Sequence, residues 1–514
     1  MRRKMEHPGT THLLGVSCLC ALMLGGSGFK SGLNSIERAD LEQHLEHLAG
    51  PELEGRDSPS LGLDRAGAYL ASAFEELGLE PLDEAGFLRT FERWLPRPEP
   101  AGCRLELAGD PPLQLEYGED FVPLAHFTGE ARGELVFAGF GIASKAERYE
   151  GLRGDLEDAV VMILEGEPDH PRSFDGRDEV TRHASLWTKL ENLRRAGAAG
   201  AIIVRRQATG GPLSFRHTWA TWSTEAMTAV PGDLHPERIP AIEVSLTCAS
   251  KLLGEDVEAL AADLDRTGRP ERPAASDRRV AFSSASALGT VLLANVAARL
   301  PGEDPELAGE VVVVGAHYDH VGVDERGRIG CGADDNGSGT AALLEIAEAL
   351  STSGARRTVV FCAFAAEEDG LLGSRAFCRD PALELSDVVA MLNMDMLARG
   401  KGQEVAVLGV KRNPALGKLL ARARSLGTTG ISKLVLRQGE ELWTRSDHYS
   451  FHEQGIPSLF FFEGLPISRN PDYHTWRDTI DRLDFDKLTR TTRLVFNTAW
   501  LLADDDERPP APRD

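Results

Sequence analysis

Apolar positions along the chain change their period from segment to segment, and each change predicts a different kind of element. Over Ser35–Leu48, Leu41, Leu45 and Leu48 fall on one side of a helix. After the turn Glu54-Gly55-Arg56, a second amphipathic helix is expected from Leu63 to Leu77, stopped by Gly78. Residues 80–125 are rich in proline and short alternating runs, which predicts loops and small strands. The segments Gly133–Gly141, Ala159–Leu164, Ala201–Val204 and Ile239–Ser245 read as strands, with a helix over Ser185–Arg195 that ends at Gly197. From Val280 onward strands and helices alternate, the order that builds a doubly wound sheet. Strands are expected at Thr290–Val296, Glu310–Ala316, Thr358–Ala365, Asp387–Asn393, Glu404–Leu408 and Ile456–Phe462. Helices are expected at Thr340–Leu350, Leu371–Cys378, Pro414–Ser425, Asp447–Gln454 and Phe485–Leu502. The unbroken run Val311–Val314 has the pattern of a strand buried on both faces of a parallel sheet.

These shifts suggest a division into segments. Residues 1–28 form a targeting segment, 29–125 begin the main domain and 126–255 form a small β-rich module. Residues 256–279 are expected to be a linker, 280–503 the rest of the main domain, and 504–514 an acidic, Pro-rich, disordered tail. At 514 residues the chain has room for two or three domains. Its 42% hydrophobic and 26% charged residues are ordinary for a globular protein. A net charge of -24 argues against nucleic acid or an anionic membrane as main partner.

The basic stretch Met1–His7, the short apolar core Leu13–Leu24 and the small residues Gly25–Gly28 resemble a secretory signal, so a secreted, periplasmic or cell-envelope location is expected. Membrane contact is expected only through an uncleaved N-terminus or one lipidated at Cys18 or Cys20. The remaining cysteines, Cys103, Cys248, Cys331, Cys362 and Cys378, are odd in number and lack metal-finger spacing. Cys362, inside an apolar run, reads as an inert buried thiol.

Candidate chemistry collects at the ends of the expected strands. The valine strand runs into His317-Tyr318-Asp319-His320, where a histidine can bind metal while Asp319 fixes its tautomer. Asp334-Asp335-Asn336 follows, then Glu367-Glu368, Asn393-Met394-Asp395, Ser446-Asp447-His448 and Asp472-Tyr473-His474-Thr475. A capped helix or a solvated acidic turn explains each of these alone, and lone histidines are usually not ligands. Together they would place acid and imidazole groups on one sheet edge. Such a carboxylate cluster repels itself unless cations compensate it, and mixed imidazole and carboxylate ligands suit zinc.

The order His-x-Asp, Ala-Asp-Asp-Asn, Glu-Glu, Asn-Met-Asp and Tyr-His-Thr resembles the secreted two-zinc aminopeptidase family, which includes a glutamate carboxypeptidase and transferrin-receptor branch. Leu53-Glu54-Gly55-Arg56 is similar to that family's N-terminal segment, and 126–255 to the protease-associated domain inserted in some members. The resemblance implies a three-layer α/β/α zinc exopeptidase domain with a mostly parallel, mixed sheet. It further implies two zinc ions per chain and a peptide substrate. Carried over position by position, His317 and Asp395 would hold one zinc, Glu368 and His474 the other, and Asp334 would bridge them. Glu367 would be the general base and Asp319 would orient His317. The resemblance also implies an unusual cis peptide bond preceding Asp335.

An aminopeptidase is the expected activity. A carboxypeptidase or dipeptidase on the same scaffold remains open, with Arg399, Arg437 and Arg445 as candidates to grip a substrate carboxylate. A glutaminyl cyclase-like enzyme and a catalytically silent receptor are less favoured, because every expected ligand and the base are present. Tyr318 and Tyr473 are read first as packing residues, and Cys331 likewise.

Overall fold

The computed structural model describes residues 27–124, 127–145, 149–168, 170, 183–184, 186–206, 238–270, 273–324, 327–379, 382–426, 429–436, 442–463 and 470–512. All of the expected targeting segment except residues 27 and 28 lies outside them, as do Ser185 and Arg437. The chain divides into two compact units: Met1–Phe91 with Leu292–Asp514, and Glu92–Val291.

The first unit is built on a nine-stranded sheet. Its centre is the expected parallel set, in the order Thr358–Phe364, Val311–His317, Val388–Met394 and Ser458–Phe462. On one side the strand Ser286–Leu300 joins antiparallel, and on the other Glu404–Leu408 does the same, which makes the sheet mixed. Side chains alternate along each central strand, yet both faces are covered. Val312 and Val314 face one apolar core with Leu45, Leu70, Leu343 and Leu494, contributed by the helices Arg38–Leu48, Leu61–Glu76, Gly339–Ser353 and Phe485–Asp504. Val311 and Val313 face the other core, with Phe377 and Phe451 from the helices Leu372–Arg379 and His448–His452. The unit is therefore a three-layer α/β/α sandwich. Each fully buried aliphatic side chain contributes roughly 1.5–3 kcal/mol, so the valine strand is held firmly from both sides.

The second unit carries an eight-stranded sheet in the order Leu113–Gln114, Arg104–Leu107, Ala274–Ser284, Gly129–Phe137, Val160–Leu164, Gly200–Val204, Ala241–Val244 and Phe121–Pro123. It too is covered on both faces. Val160, Met162 and Ile202 pack with Leu252 and Leu264, whereas Val161, Ile163 and Ile203 pack with Leu190 and Leu193 of the helix Leu186–Arg195.

Several segments differ from the sequence-based expectation. Where a linker was expected at 256–279, a helix runs over Val257–Thr267 and a strand over Ala274–Ser284. Charged residues obscure the helix's buried stripe of Val257, Ala261 and Leu264. The strand Leu88–Pro98 is longer than the small strands expected near it, because buried Arg93 interrupts the alternation of Phe91 and Leu95. The tail beyond Asp504 is tied down through its charges: Asp505 pairs with Arg422 at 2.6 Å, Asp506 with Arg356 at 2.7 Å, and Arg508 donates to the carbonyl oxygens of Ser386 and Val388. Among the described residues, no helix is long and apolar enough to cross a membrane.

Candidate metal centre

The central strands deliver their polar ends to one edge of the first unit's sheet. His317 is the last residue of its strand, Glu367 and Glu368 follow Thr358–Phe364, and Asp395 follows Val388–Met394. Placement just beyond the carboxyl ends of parallel strands is where ligands of such sheets collect. His474 comes from the loop after Ser458–Phe462.

Among the described residues, potential ligand atoms form two groups. His317, Glu367 and Asp395 bring theirs within 4.8 Å of one another, and so do His320, Asp335, Glu368 and His474. Asp335 lies between the groups, with Oδ1 3.5 Å from His317 Nε2 and Oδ2 3.1 Å from His474 Nε2. His317 Nε2 is also 3.5 Å from Asp395 Oδ1, and His474 Nε2 is 2.9 Å from Glu368 Oε2. Despite this proximity, His317 Nε2, His320 Nε2, His474 Nε2, Asp335 Oδ2 and Asp395 Oδ1 are buried and make no hydrogen bond. Buried polar atoms almost always find partners. Buried imidazole and carboxylate atoms this close together, without hydrogen bonds between them, are a donor set that could hold metal. Imidazole nitrogens with carboxylate oxygens fit zinc.

The loops are fixed by hydrogen bonds behind this cluster. Asp319 accepts the backbone N–H groups of Glu367 and Glu368 at 3.1 and 3.2 Å, which braces the acidic pair. Its carboxylate is 3.6 Å from His317 Nδ1, long for the orienting bond expected from the sequence; that nitrogen lies 3.3 Å from the Asp319 carbonyl instead. Asp478 accepts the N–H groups of Asp334 and Asp335, and Asn336 bridges to Met394 O and to the N–H groups of Gly339 and Met396. Buried Arg56 donates to the carbonyls of Leu48, Tyr318, Cys331 and Gly332, pinning the expected N-terminal motif beneath the same loops.

One expected ligand belongs elsewhere. Asp334 is fully buried outside both groups, accepting the Ala398 N–H at 2.8 Å and an Asn470 Nδ2 bond at 3.4 Å. Adjacent side chains diverge here, and it is Asp335 that lies between the two groups. The cis peptide bond is Asp335–Asn336, one residue later than expected. His320 and Asp478 were not singled out as site residues. His320 adjoins the His-x-Asp pair, and its Nδ1 lies 3.0 Å from Glu368 Oε1; only its neighbourhood to that motif could have drawn attention to it. His448 stacks on Phe460, with ring centroids 4.5 Å apart, and lies outside both groups, as do Asp447 and Cys331. Tyr318 is a packing residue whose hydroxyl donates to Ala294 O at 2.6 Å. Arg399 is paired with Asp472 at 2.6 Å.

The neighbouring acids titrate in opposite directions. Burial, reinforced by Glu368 and Asp395, raises the Glu367 carboxyl well above its usual range, with His317 opposing. Burial also pushes Glu368 up, but His474 and His320 outweigh it and bring that carboxyl well below the usual range. Beside them opens a pocket lined by Met396, Leu442, Phe460 and Phe462 together with Arg445 and Tyr473. The Tyr473 ring stacks on His474 at 3.8 Å.

Residues 295–499 match peptidase family M28. Over 215 residues the chain is 34% identical to a probable leucine aminopeptidase of Arthroderma benhamiae, covering 41% of this chain and 57% of that protein. It is 31% identical over 223 residues to leucine aminopeptidase 1 of Coccidioides posadasii, covering 41% and 55%. The chain thus spans a little over half the length of these relatives. In structure it resembles a zinc aminopeptidase from Bacillus subtilis, with a TM-score of 0.54 at 20% identity over 92% of this chain and 96% of that one. An aminopeptidase from Aneurinibacillus sp. strain AM-1 gives 0.52 at 20% identity over 95% and 98%. At that identity the likeness speaks for the fold.

Proposed function

The chain belongs to peptidase family M28 through residues 295–499, and on that premise we propose that it is a zinc-dependent aminopeptidase releasing N-terminal residues from peptides. The observation that carries this reading is the pair of ligand groups with Asp335 between them, in which five buried ligand atoms make no hydrogen bond. Leucine aminopeptidases among the relatives support the choice of activity.

In this reading His317 and Asp395 would hold one zinc, Glu368 and His474 the other, and Asp335 would contact both. His320 would keep Glu368 oriented through its 3.0 Å contact. When bound, the two ions supply a Lewis acid for the scissile carbonyl and bring the pKa of a water ligand to about 7. Glu367, with its raised carboxyl, would take a proton from the attacking water and deliver it to the leaving amine. The apolar wall of Met396, Leu442, Phe460 and Phe462 suits an apolar N-terminal side chain. The unit Glu92–Val291 is read as the protease-associated insert. The basic and apolar stretches within residues 1–28 favour export.

The direct test is hydrolysis of leucyl-p-nitroanilide before and after chelation. Activity abolished by a chelator and restored by zinc is the expected result. A zinc-reconstituted protein that cleaves nothing in a broad panel of aminoacyl substrates and unblocked peptides would refute the proposal.

A further inference from the structure

Among the described residues that line the pocket beside the metal groups, one is a cation: Arg445, in the company of the carboxylates of Asp335, Glu367, Glu368 and Asp395. Arg445 is exposed, and among the described residues its hydrogen bond is a long one, 3.4 Å from Nη2 to the hydroxyl of Tyr473. No described carboxylate lies within ion-pairing distance of it. Arg399 and Arg477, which do not line the pocket, both bind Asp472. If two zinc ions offset the four pocket carboxylates, the guanidinium is left as uncompensated positive charge at the rim. A planar guanidinium with free N–H groups is shaped to receive a carboxylate.

We infer that Arg445 binds a carboxylate carried by the peptide substrate, which makes short peptides with a free C-terminus the favoured class. This rests on the aminopeptidase reading and deepens it. The guanidinium reaches Tyr473, whose ring stacks at 3.8 Å on His474, so it stands one aromatic ring from the metal groups. Each residue beyond the scissile bond extends a peptide by at most about 3.6 Å, so only a short peptide brings its C-terminus to a group lining this pocket. A side-chain carboxylate on the N-terminal residue has the same chemistry, but the apolar inner wall offers it no partner and favours the C-terminal source.

The test compares Leu-Gly, Leu-Gly-amide, leucyl-p-nitroanilide and glutamyl-p-nitroanilide on the zinc-loaded wild type and on Arg445→Gln and Arg445→Lys. Dissociation constants for Leu-Gly and its amide are also measured by calorimetry on Glu367→Ala, with and without Arg445→Gln. Wild type is expected to favour Leu-Gly over the amide by roughly tenfold or more in kcat/KM, the size of a charge-assisted bond. Arg445→Gln removes that preference through KM and leaves leucyl-p-nitroanilide unchanged, while Arg445→Lys keeps part of it. A loss confined to the glutamyl substrate would support carboxylate binding and assign it to the side chain. Equal treatment of acid and amide by the wild type, with no preference for the glutamyl substrate, overturns the inference, as does a uniform loss on all four substrates in Arg445→Gln. If the wild type cleaves none of them, the aminopeptidase reading fails, and the binding constants still decide Arg445: equal affinity for Leu-Gly and its amide rejects it.

Discussion

At the scale of single residues, two neighbouring aspartates have opposite duties. Asp335 faces the histidines, whereas Asp334 is bonded to Ala398 and Asn470 within the protein. Asp335→Asn is expected to lower bound zinc by at least half, and Asp334→Asn to leave it nearly unchanged, as read by metal analysis of the purified variants. Equal zinc loss in both would contradict the assignment. His448 gives a second residue-level prediction. Burial, acting before its charged neighbours, lowers its pKa to about 3. The unfolded chain then takes up a proton near pH 6.5 that the folded one refuses, so stability is intact above 6.5 and falls as pH drops from there toward 3. The slope is about 1.4 kcal/mol per pH unit for this one group. His448→Phe keeps the stack on Phe460 and should flatten the urea midpoint against pH in that window relative to wild type. His317, Glu367, Glu368, Asp395 and His474 were legible because each sits in a motif at a strand end. The choice between Asp334 and Asp335 was not, since chain order alone does not say which of two adjacent side chains turns inward.

At the scale of elements, the valine strand was readable from its unbroken apolar run, and its two cores follow from simple alternation. The Arg56 clasp was less so: the motif around it was noticed, but three of its four carbonyl partners lie 262 to 276 residues away along the chain. A buried guanidinium replaced by an ammonium cannot satisfy them all, and each orphaned group costs about 1–3 kcal/mol. Arg56→Lys is therefore expected to lower the thermal midpoint by several degrees and to reduce zinc content. Unchanged values of both would show that the clasp is dispensable. The helix Val257–Thr267 was missed because its apolar stripe is only three residues deep and flanked by charge.

At the scale of the whole chain, the sequence order separates the halves of one unit by some 200 residues of another, and the contact pattern bounds the insertion at Glu92–Val291. Its β-rich character was visible in the strands around Val160 and Ile202; its outer boundaries were not, because short strands such as Arg104–Leu107 carry little apolar signal. The acidic cluster adds a global consequence. Without compensating cations its carboxylates repel one another, so chelation should lower the melting temperature and added zinc should restore it. A melting curve indifferent to chelator would count against a structural share for the metal.

The central claim is a two-zinc site with Glu367 as proton carrier. It is tested most directly by zinc content measured together with leucyl-p-nitroanilide hydrolysis in wild type and Glu367→Ala. About two zincs per chain are expected in both proteins, with activity reduced by a factor of about 10² to 10⁴ in the variant. Wild type that takes up no zinc, or a variant that keeps full activity, would contradict it.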